Sequence, residues 1–89
     1  MMGKSGGEDD HAARVHESFD SLHEKLGSRL DAGARESVEK LRAAAVQKDG
    51  AALREHLTDV RQRHGWLYRE LVAHPTLSAL LDELALLGL

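Results

Sequence analysis

Apolar side chains recur at steps of three and four residues along most of this chain, and that period fits only one regular conformation. Ala12, Val15, Phe19, Leu22 and Leu26 form one such series. Leu53, Leu57, Val60, His64, Leu67 and Leu71 form a second, with a single polar member. Leu77, Leu80, Leu81, Leu84 and Leu87 form a third, and Ala34, Val38, Leu41 and Ala45 a weaker fourth with smaller side chains. An α-helix turns once in about 3.6 residues, so each series lies on one stripe that has to be buried against a neighbour. No segment alternates with period two, and no strand is expected. The fold class expected is all-α.

Breakers divide the stripes into about four helices. Residues 1–8, MMGKSGGE, are glycine-rich and without period, and read as a disordered leader ahead of a single helical domain over 9–89. Its Gly-Lys-Ser lacks the upstream glycine and preceding strand of a phosphate-binding loop, so it reads as tail. The first helix should begin near Glu8 to Asp10, whose charges suit the positive end of a helix dipole, and close at Gly27. Asp31 is a good cap for a second helix from Ala32 to about Lys48, and Asp49 for a third. Gly65 is a weak point in that third helix, where a kink or register break would fall. Pro75 disfavours helical geometry at His74 and suits the first position of a fourth helix, which Gly88 ends. Short loops favour antiparallel neighbours, hence a small up-and-down bundle.

Composition narrows the function classes. The chain has no cysteine, so disulfides, thiolate metal sites and cysteine nucleophiles are excluded. An unstapled domain fits a cytoplasmic location. The net charge is −3 with both signs interspersed, which argues against broad docking on nucleic acid or an anionic membrane. Only Phe19, Trp66 and Tyr68 are aromatic, too few for a base-stacking surface. Isoleucine and asparagine are absent and arginine outnumbers lysine eight to four, the codon bias of a GC-rich, bacterial genome. No nucleophile–base pair or cofactor fingerprint appears, so neither enzymatic activity nor a cofactor is expected.

The carboxyl end poses the sharpest question, with seven leucines in residues 77–89. That stretch is too short to span a bilayer and carries Asp82 and Glu83. Leu77-Ser-Ala-Leu-Leu81 also spells a helical docking box, which any leucine-rich helix produces by chance. Leu86 and Leu89 widen the stripe beyond what one neighbouring helix covers. Leu77, Leu80, Leu81, Leu84, Leu86, Leu87 and Leu89 are therefore expected to be part core and part interface, with the protein self-associating or binding a protein partner. Trp66 and Tyr68, framed by Arg61, Arg63 and Arg69, form a second candidate contact surface.

Six histidines invite a metal reading. His16, Asp20 and His23 share one arc of the first helix, and His56 could join them from another, giving the alternative of a metal- or ligand-responsive bundle. A solvated polar flank accounts for the same spacing. His64, on the seam of the third helix, reads as a hydrogen-bonded core or rim residue, with a pH-sensitive packing role as its alternative. The favoured reading is a non-enzymatic, helical protein–protein interaction module, a subunit, adaptor or regulatory partner.

Overall fold

The computed structural model describes residues 6–87. Five α-helices follow one another: α1 (Gly6–Leu26), α2 (Ala32–Val46), α3 (Gly50–Arg63), α4 (Gly65–Ala73) and α5 (Pro75–Ala85), with a 3-10 turn at Gly27–Arg29 after α1. There is no strand among the described residues. The leader expected at residues 1–8 lies mostly outside the described residues, which begin with α1 at Gly6.

The count of five instead of four comes from one residue. His64 has φ −133° and ψ 65°, which ends α3 and starts α4 where a single third helix was expected. Its N–H still donates to Val60 O at 2.7 Å, and its carbonyl accepts from Leu67 N and Tyr68 N at 2.9 and 3.1 Å. The break falls beside Gly65, the weakest helix former of the segment. Leu67 and Leu71 stay buried beyond it, so the stripe continues across the break.

The other junctions are set by capping. α2 stops two residues before the expected end because Lys48 adopts φ 57°. Asp49 N then donates to Ala44 O at 2.9 Å and Lys48 N to Ala45 O at 3.1 Å, satisfying carbonyls that the helix end would leave open. Asp31 and Asp49 cap α2 and α3 as their sequence positions implied, accepting from Ala34 N at 2.8 Å and Ala52 N at 3.1 Å. His74 caps α5, its Nδ1 accepting from Leu77 N at 3.2 Å.

The core joins all five helices. Val15, Phe19 and Leu22 from α1 meet Val38 and Leu41 from α2, Leu53 and Val60 from α3, Leu67 and Leu71 from α4, and the leucines of α5. α1 and α2 run antiparallel: His11, His16 and His23 meet Ala45, Arg42 and Glu39 in reverse order. α3 packs on α2, α4 and α5, while α1 also packs on α5. The end of α5 is tied to the start of α3. Arg54 Nη1 donates to Ala85 O at 2.7 Å and Leu87 O at 2.8 Å. Gly50 lies so close to the carbonyls of Leu84 and Leu87 that a Cβ there would collide with them.

Candidate functional site

The leucine-rich helix is the first place where the expectation changes. Leu77, Leu80, Leu81 and Leu84 are all buried within a single chain. They belong to the core and are not available as an interface. The reason is tertiary: α5 is covered by α1, α3 and α4 together, a wider arc than one neighbour could reach. Leu86 and Leu87 remain 66 % and 41 % exposed. Leu89 lies outside the described residues.

The expected aromatic surface also divides. Residues two apart on a helix point roughly 200° apart, so Trp66 and Tyr68 leave opposite flanks of α4. Arg29 from the 3-10 turn sits over the Trp66 ring at 5.1 Å, and Arg61 from α3 over the Tyr68 ring at 5.9 Å. Both rings are half-buried. Arg29 and Lys25 each reach Glu70 at 3.4 Å, and Arg63 pairs with Asp59 at 2.9 Å. Of the expected basic frame, Arg63 is thus ion-paired within the fold, while Arg61 and Arg69 form no ion pair among the described residues.

The histidine and carboxylate set of α1 is brought together with α2, but around a cation that the chain supplies itself. Arg42 Nη1 donates to His16 Nδ1 at 3.2 Å, and Nη2 pairs with Asp20 at 3.2 Å. Its guanidinium also lies 5.6 Å from the centre of the Phe19 ring. Glu39 lies 3.3 Å from His23 Nε2 and 3.8 Å from Arg42 Nε. The second contact is too long for a hydrogen bond and the first is not aligned for one, so both nitrogens are buried without a hydrogen-bond partner while remaining within reach of the carboxylate charge. A metal at this point would have to displace Arg42, whose side chain is only 17 % exposed. His56 sits on α3, and no group of three His, Asp or Glu side chains suited to a metal forms among the described residues. The metal set proposed from spacing is therefore corrected to an arginine-centred ion cluster, which the alternation of charge along α1 alone did not reveal.

His64 is not a core residue. It is half-buried at the α3–α4 break, with its ring edge next to Gly33 at the start of α2. Its position follows from the backbone turn.

One pairing was not legible in the sequence. Ser21 Oγ lies 3.2 Å from His74 Nε2, beside a hollow of about 300 Å³ lined by Glu17, Ser18, Ser21, His74 and Thr76. Serine next to histidine suggests a nucleophile and its base, but the proton is on the wrong atom. His74 Nδ1 accepts from Leu77 N–H, so in the neutral ring the proton resides on Nε2 and is donated to Ser21. A base would need a free lone pair at Nε2. The pair ties α1 to the start of α5.

Protein-family models, curated proteins and solved structures provide no match to this chain. Function must therefore be read from its own surface.

Among the described residues, an apolar depression lies outside the features above. Leu57 of α3, Tyr68, Leu71 and Val72 of α4, and Ser78, Leu81 and Asp82 of α5 line a shallow groove with a volume of about 40 Å³. Val72 on its wall is 52 % exposed. Val72, Leu86 and Leu87 are the large hydrophobic side chains left exposed among the described residues, and all three lie on α4 or just past the end of α5. A further hollow of about 300 Å³ has charged or polar residues on one part of its lining, Asp10, His11, Arg14, Lys48 and Glu83, and Leu84 and Leu87 on the other. His11 is already engaged there, donating from Nε2 to Ala45 O at 2.8 Å. No helix among the described residues is long and apolar enough to cross a membrane.

Proposed function

We propose that this chain is a small, non-enzymatic helical protein–protein interaction module that acts through the α3–α4–α5 face. The carrying observation is the coincidence of the apolar groove with the exposed Val72. Interfaces concentrate their energy where apolar side chains enter desolvated hollows, and this groove offers such a hollow on a rigid helical frame. The polar clusters support the same reading, because their hydrogen bonds and charges are directed at each other. The partner class is protein, not nucleic acid or bilayer. A cytoplasmic, bacterial setting agrees with the lack of cysteine and the arginine-rich, isoleucine-free composition.

A photo-crosslinking residue placed at Val72, with Lys40 of α2 as a remote exposed control, tests this in cells of the source organism. The Val72 probe is expected to join a discrete protein, the same chain included, and the Lys40 probe to join none. Equal or absent labelling from both positions would end the proposal.

A further inference from the structure

We infer that the occupant of the groove is a second copy of this chain, related by a two-fold axis, with Arg61 of each copy meeting Asp82 of the other. This rests on the reading of the chain as an interaction module and names its partner. A two-fold interface presents the same patch from both sides, so the patch must complement itself in charge as well as in shape. The groove meets that condition. Arg61 overlies the ring of Tyr68, which lines the groove, and Asp82 is part of the same lining. Neither forms an ion pair among the described residues, while Arg29, Arg42 and Arg63 all do. An acidic partner would meet repulsion at Asp82, and a basic one at Arg61. A copy turned through two-fold symmetry can offer an opposite charge to each of the two.

The apolar surface has the same character. Val72 stands 52 % exposed on the groove wall, and Leu86 is 66 % exposed. Leu86, the C-cap of α5, is four residues past Asp82 and so lies about one turn beyond it. Each copy thus carries both a shallow hollow and a projecting leucine beside it. Burying those side chains drives association, and the crossed charges set the register.

Light scattering on the full chain over a concentration series, with Arg61→Asp and Asp82→Arg as variants, tests the arrangement. The wild type is expected to dimerise, and each substitution to raise the dimer dissociation constant at least about tenfold by placing like charges together. An equimolar mixture of the two variants should regain the dimer mass, because the altered copies again present opposite charges to each other. Both positions are exposed, and circular dichroism checks that the variants remain folded. Single variants that stay dimeric, or a mixture that stays monomeric, would overturn the crossed pairing. A wild type that is monomeric at every soluble concentration would overturn the dimer itself. Crosslinking from Val72 to a different protein would still then uphold the interaction module.

Discussion

The α1–α2 seam and the α3–α4–α5 groove are both made where helical stripes meet, yet they leave the surface in opposite conditions. Along the seam, Arg42 is shared by His16, Asp20 and Glu39, and His23 lies against the same carboxylate. Every charge there has an answer within the fold. At the groove, Arg61 and Asp82 have no ion-pair partner among the described residues and Val72 is half in water. A dense cluster of titratable side chains therefore marks a structural joint here, and the plainer apolar depression is the surface we propose for binding.

Substitutions at four positions can break or sharpen this contrast. The largest effect is expected beneath both regions: Leu80→Ala should cost about 2–5 kcal/mol in urea denaturation, since it empties a fully buried site. A loss no greater than that of a surface change would mean that α5 is not core. At the seam, Arg42→Ala should cost about 1 kcal/mol, because the ion pairs are partly exposed while the side chain also covers Phe19. Arg42→Lys should recover only part, lacking the fork that reaches His16 and Asp20 together. At the groove, Val72→Ser and Leu86→Ser should each change monomer stability by under about 0.5 kcal/mol. A larger loss at Val72 would make the groove wall structural, and one at Leu86 would do the same for the end of α5, removing the difference between the regions.

The stripes were readable because burial of one helix face follows from local spacing alone. Val15, Phe19, Leu22 and Leu26 in α1 and Ala34, Val38, Leu41 and Ala45 in α2 are all buried, as their periods required. Caps were equally legible at Asp31 and Asp49, since a short carboxylate at a helix start acts on N–H groups three residues away. The candidate site was not. Arg42 lies 26 residues from His16, and Ser21 lies 53 from His74. A hydrogen bond over such a separation depends on helix register, which no local pattern carries. The groove could have been suspected only from Val72, an apolar residue next to the buried Leu71.

Helix content, most of the stripes and two of the caps were thus determined by the amino-acid order, because they depend on contacts within one or two turns. Whether an apolar residue becomes core or contact surface was decided by how many helices surround it. Leu80 and Leu86 occupy the same leucine-rich segment, but three helices close over the first and the second projects past them. Burial is a property of the assembled neighbours, and only the packed bundle supplies those.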